Sequence, residues 1–291
     1  MSKLRKDAFE SPSYHIAVIV LLALGLVLFP AETFLRFFIE DEHKAKLIGG
    51  TLLRAILSIC MVFAIKKYKF TKPFFAHNGL KTFLLVIPAL IIALNNFPLS
   101  AIAKGQVKFT TDGLNIALFL LYCISVGVFE ELLFCGLVFP LCLYIYRYKK
   151  YSVVCATLVS SLIFALSHLL HLISGADLVE TLYQVGYAFL VGAMFTVSKC
   201  VTRNIFTAIV LHTIYDIGGL MLSKEYGIGV GNQWDSLTII LTIVLGVIIT
   251  IYMAILAVKV DHDEVEELYF DDGRNPAIDN TKETKTHKNC A

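Results

Sequence analysis

The sequence predicts an all-α protein, a polytopic membrane helix bundle of about eight transmembrane helices. Three observations point there. Hydrophobic residues make up 57% of the 291 residues and charged residues only 16%, whereas a soluble domain carries about 25% charged residues. The mean hydropathy is +0.73, and the apolar residues stand in long blocks parted by short charged loops, as a bilayer solvent requires. Lys and Arg, finally, fall unevenly between alternate loops. A soluble enzyme, a secreted disulfide scaffold and a nucleic-acid binder do not fit this composition. A formal net charge of +2 offers nothing to a polyanionic partner.

Along the chain, the apolar blocks predict helices at about 14–36, 48–65, 82–103, 114–146, 152–173, 180–200, 204–222 and 236–258. The first follows Lys3, Arg5 and Lys6 as a signal peptide would. Phe29-Pro30-Ala31-Glu32 lacks a small-x-small cleavage pattern, so this block is read as a retained helix. The fourth exceeds the ~20 residues a span needs and must tilt, kink or extend beyond the bilayer. After the eighth, the chain turns polar, mixed in charge and poor in aromatics. Residues 1–260 are therefore read as one transmembrane bundle and 261–291 as a disordered polar cytoplasmic tail.

Loop charges orient the bundle. One side holds eighteen Lys and Arg, including Lys66, Lys72, Arg147, Lys199 and Arg203; the other holds six, and Arg54 falls inside the second helix. The excess of positive charge belongs inside, which places both termini in the cytoplasm. The expected location is an integral membrane protein, in the cell membrane if the source is prokaryotic.

An ionisable side chain in mid-membrane costs at least ~2.5–3.5 kcal/mol, so each one needs a reason. Away from the predicted helix ends, the short list is Arg54, Glu130, Glu131, His168, His171, His212 and Asp216. Arg54 reads as a snorkelling or structurally paired residue, and His171 as a satisfied packing or interface residue. The others follow a pattern. Glu130 and Glu131 are adjacent in the fourth helix; Phe164 and His168 stand four apart in the fifth; His212 and Asp216 stand four apart in the seventh. Residues at i and i+4 share a helix face, so each pair can point into one cavity. The two glutamates are ~100° apart and cannot face it equally.

The ordered set Glu-Glu, Phe-x-x-x-His and His-x-x-x-Asp on three hydrophobic helices resembles the CPBP (Abi) intramembrane proteases. That family includes the type II CAAX prenyl endopeptidases and bacteriocin-processing or self-immunity relatives. The resemblance covers about 112–222, the expected protease core. It departs at Cys135, where the family's first motif, Glu-Glu-x-x-x-Arg, has Arg. Glu131 thereby loses a same-helix cation, which leaves three alternatives: it is protonated, it pairs with Arg54 or Arg203 across the bundle, or it has lost its role.

Peptide hydrolysis needs an activated water, a stabilised oxyanion and a proton for the leaving amine. Two mechanisms fit. Glu130 takes a proton from water that His168 holds, while His212 stabilises the oxyanion and Asp216 either orients His212 or, if protonated, donates a second hydrogen bond; Glu131 and Phe164 support them. Alternatively His168, His212 and Glu130 bind zinc, which activates the water. The sequence favours the first and leaves the cofactor open between zinc and none; the His-Glu-x-x-His zinc signature is absent. The resemblance implies membrane lipid as a partner. It also implies a peptide or protein substrate, either a prenylated CAAX peptide or a bacteriocin or pheromone precursor, and no nucleic acid. A non-enzymatic scaffold or immunity protein is the main alternative, and a transporter is the other.

Overall fold

The computed structural model describes residues 9–27, 31–76, 79–110, 112–173 and 175–270. α1 (Pro12–Val27) covers most of the first expected span, and Ala31–Leu35 forms a short turn of helix beyond it. α2 (Glu42–Tyr68) starts at Asp41, whose carboxylate accepts from the Lys44 N–H, and stops where Lys69 turns left-handed.

The third expected span is not one helix. Pro88 has no N–H, and Pro98 bars the residue before it from helical geometry. The segment accordingly breaks into Leu80–Leu85, α3 (Ile87–Asn95) and Leu99–Ala103.

α4 (Gly113–Tyr146) is capped by Asp112 and changes register at a π-helical turn over Phe134–Val138. α5 (Ser152–Ser167) tightens into a 3-10 segment, His168–Leu172. Side-chain caps from Asp177, Asn204 and Asp235 then open α6 (Leu178–Thr202), α7 (Ile205–Leu220) and α8 (Ser236–Lys259). A two-residue antiparallel pair, β1 (Lys108–Phe109) with β2 (Gly229–Val230), joins two loops.

Among the described residues, five helices are long and apolar enough to cross a membrane: α2, α4, α5 with its 3-10 extension, α6 and α8. α7 and Pro12–Leu21 of α1 are shorter apolar helices. The expected eight spans thus resolve into five of full length, two shorter and one broken. α4 and α6 are the most buried of the five and α8 the least. Ile243, Val247 and Ile251 lie exposed along α8, a surface suited to hydrocarbon. α4 packs on α2 and α7, and α6 on α5 and α7.

The loops sort into two ends. At one, His15 meets Tyr68, Lys72 Nζ donates to Glu267 O, Arg203 pairs with Glu264, and the Val153 N–H donates to His262 Nδ1. At the other, Lys44 pairs with Asp112, Lys104 with Asp235, and His43 Nε2 donates to Gly227 O. These are the two loop sets that the Lys and Arg count separates. Two expectations change. Lys199, counted above as a loop cation, is only 2% exposed within α6. The expected tail also starts with structure: α9 (His262–Glu267) is followed by Tyr269 and Phe270, both buried in the main core. Residues 271–291 lie outside the described residues.

Candidate active site

The site begins with a close approach of two helices. A Cβ on Gly127 would fall 2.6 Å from Thr213 Oγ1 and 3.1 Å from Thr213 N. Only glycine lets α4 and α7 come this near, and the contact sets Glu130 and Glu131, one turn further along α4, beside His212. Glu131 is the buried one of the two, at 4% exposure. Its Oε1 accepts a hydrogen bond of 2.7 Å from His212 Nδ1. Glu130, whose side chain is 22% exposed, places Oε2 3.6 Å from His212 Nε2. Asp216 Oδ2 lies 3.6 Å from the same nitrogen. Three carboxyl groups from two helices thus converge on one imidazole. The two 3.6 Å separations are ion-pair distances, too long for direct hydrogen bonds, and among the described residues Asp216 Oδ2 is buried with no hydrogen-bond partner.

His168 stands across an aromatic spacer. Its Nδ1 donates to Phe164 O at 3.1 Å. A carbonyl only accepts, so Nδ1 carries the hydrogen and Nε2 keeps the lone pair. The Phe164 ring lies edge-on to His168 at 4.9 Å and to His212 at 5.9 Å. That ring rests on Gly192, where a Cβ would fall 2.6 Å from its Cδ1. Phe195 flanks His212 at 5.1 Å. Glu130 and His212 are both electrostatic neighbours of His168.

Glu130, Glu131, Phe164, His168, His212 and Asp216 therefore belong to one locus, which also answers two pairings that the sequence leaves open. Neither Arg54 nor Arg203 is the partner of Glu131. Arg54 donates to Gly50 O and lies 5.0 Å over the Tyr122 ring, while Arg203 pairs with Glu264; the partner is His212. Of the two roles open to Asp216, orienting His212 or donating beside it, its place at Nε2 suits the second, and Glu131 holds Nδ1. His171 bonds Gln184 Oε1 at 2.9 Å, the partnered interface residue that the sequence suggests. Gly127, Gly192 and Phe195 were not legible as site residues, because each acts only through the helix it touches.

Among the described residues, no group of three or more His, Cys, Asp or Glu side chains is placed to hold a metal ion. His168, His212 and Glu130 do not form such a group. The Phe164 ring packs edge-on against both imidazoles.

Membrane-length helices with ionisable groups gathered between them define an integral membrane protein with a buried polar site. Residues 112–218, which contain all six site residues, match the family of type II CAAX prenyl endopeptidase Rce1-like proteins. The resemblance carried by the three motifs thus has a family match over the same segment, and that match implies a protease acting at a membrane. No curated protein and no solved structure matches the chain.

Proposed function

We propose that the chain is an intramembrane endopeptidase that hydrolyses a peptide bond of a membrane-associated or lipidated substrate through a glutamate-activated water. The observation that carries this reading is the convergence of Glu130, Glu131 and Asp216 on His212. Glu130, the carboxylate with an exposed edge, is the general base that takes a proton from water. The lone pair on His168 Nε2 holds that water. Glu131 holds His212 Nδ1–H and fixes the ring's direction; with a second proton on Nε2 the ring is an imidazolium whose Nε2–H is aimed at the oxyanion of the tetrahedral intermediate. Asp216 shares the proton on that side. Glu130 then returns its proton to the leaving amine, which balances the reaction as water added across the peptide bond.

The name of the matched family supports a prenylated CAAX peptide as the first substrate to try; a bacteriocin or pheromone precursor is the second. Segregation of the cation-rich loops at one end supports both termini being cytoplasmic. The test is incubation of the full-length protein in liposomes with a farnesylated CAAX peptide, with products read by mass spectrometry. Release of the tripeptide by the wild type, lost in His168→Ala, is expected. Equal release by His168→Ala contradicts the assigned roles.

A further inference from the structure

One buried charge has no part in this mechanism. Lys199 lies within α6 at 2% exposure, and a lysine there is costly unless something holds it. What holds it is an orphaned carbonyl. Through the π turn, the Phe139 N–H reaches back five residues to Phe134 O. The next link of that ladder would join residue 140 to Cys135 O, but residue 140 is proline and has no N–H. A buried carbonyl needs a donor, and Lys199 Nζ supplies it at 3.2 Å.

The ammonium is otherwise enclosed by rings. Nζ lies 3.4 Å from the Phe139 centroid and 5.4 Å from that of Tyr269. Burial pushes the Tyr269 phenol up to about 12, so a neutral ring meets the cation. Tyr269 is brought there by the C-terminal segment. α9 is fastened by the Arg203–Glu264 pair, by Lys72 Nζ on Glu267 O and by the Val153 N–H on His262. Phe270 packs edge-on against Tyr144 and Phe9. At the other end of the chain of contacts, the Cys135 thiol sits 3.5 Å from Thr196 Oγ1, with Glu131 and Lys199 as its charged neighbours.

We propose that Lys199, sealed in place by Tyr269, is a positioning residue that fixes the π turn after Glu130-Glu131 and so holds Glu131 against His212. The segment 261–270 is then a working part of the site. The effect on catalysis rests on the endopeptidase reading; the effect on the Glu131–His212 bond does not.

The test uses the full-length protein in liposomes with ¹⁵N-labelled histidine and the farnesylated peptide as substrate. Lys199→Met and Tyr269→Ala should lose the hydrogen-bonded Nδ1–H resonance of His212, and Lys199→Arg should keep it. The kcat of Lys199→Met should fall by on the order of a hundredfold at unchanged KM, the scale of a misplacement near 1 Å. A wild-type His212 resonance in folded Lys199→Met overturns the proposal, as does Lys199→Arg behaving like Lys199→Met. If Lys199→Met does not fold, Tyr269→Ala decides by the same resonance. Glu130→Gln is assayed alongside. Full cleavage by that variant removes Glu130 as the base, and no cleavage by the wild type removes the endopeptidase reading; in either case the resonance alone judges the role of Lys199.

Discussion

Glu131 and His212 stand 81 positions apart in the sequence and share a buried hydrogen bond of 2.7 Å. A carboxylate on Nδ1 fixes which ring nitrogen is presented on the far side, and on that side stand Glu130 and Asp216. Cys135 deprives Glu131 of a same-helix cation, and His212 on α7 is the partner it has instead. Glu131→Gln should lower kcat by about 10²–10⁴-fold, as loss of an orienting carboxylate does elsewhere. Combining it with His212→Ala should cost little more than His212→Ala alone. Steady-state kinetics of the two single variants and the double variant check this; additive losses would show the two residues acting separately.

Two glycines give a contrasting pair. Gly127→Ala meets both the side chain and the backbone of Thr213, with Oγ1 at 2.6 Å and N at 3.1 Å, whereas Gly192→Ala meets only the Phe164 ring. Each should lose ~1–3 kcal/mol of stability by overpacking. Phe164→Leu should restore the stability of Gly192→Ala, because the obstacle is a side chain. Thr213→Ala should restore Gly127→Ala only in part, because it removes Oγ1 but leaves the Thr213 backbone nitrogen at 3.1 Å. Thermal unfolding in detergent measures both, and equal rescue at the two sites would contradict the geometry.

The metal expectation follows from the spacer. With the Phe164 ring packed against both imidazoles, the purified protein should hold well under one zinc per chain, and cleavage should resist chelators. Metal analysis with an activity assay decides. Stoichiometric zinc whose removal abolishes cleavage, and whose return restores it, would require the site to rearrange.

Sidedness is open to a direct test. Reporter fusions at residue 75 and at the C-terminus should both report cytoplasm, and fusions near residues 43 and 228 should not. Opposite sidedness for residue 75 and the C-terminus would break the two-ended arrangement of loops.

Much of this was legible in the sequence because a bilayer makes each polar residue costly. The apolar blocks marked α2 and α4 to α8, and the i, i+4 pairs marked His168 and His212. What escaped depended on partners in space. Pro88 and Pro98 lie in a run apolar enough to hide the break they impose. Lys199 stands near a helix end, where it reads as a loop cation; its burial follows from the Cys135 carbonyl that Pro140 leaves unpaired. The pairing of Glu131 requires the close contact at Gly127, which no spacing within α4 reveals. Tyr269 and Phe270 begin a polar tail by composition, yet their rings complete the core around Phe139 and Tyr144.

The central claim is that Glu130 activates the water. The most direct measurement is the kcat of Glu130→Gln in liposomes on a substrate the wild type cleaves, with folding followed separately by circular dichroism. Gln keeps the size of the side chain and its polarity but removes the base, so the loss should be at least about 10²–10⁴-fold, the range of a general base, in a protein of unchanged helix content. A folded Glu130→Gln variant that cleaves at near the wild-type rate would contradict the account.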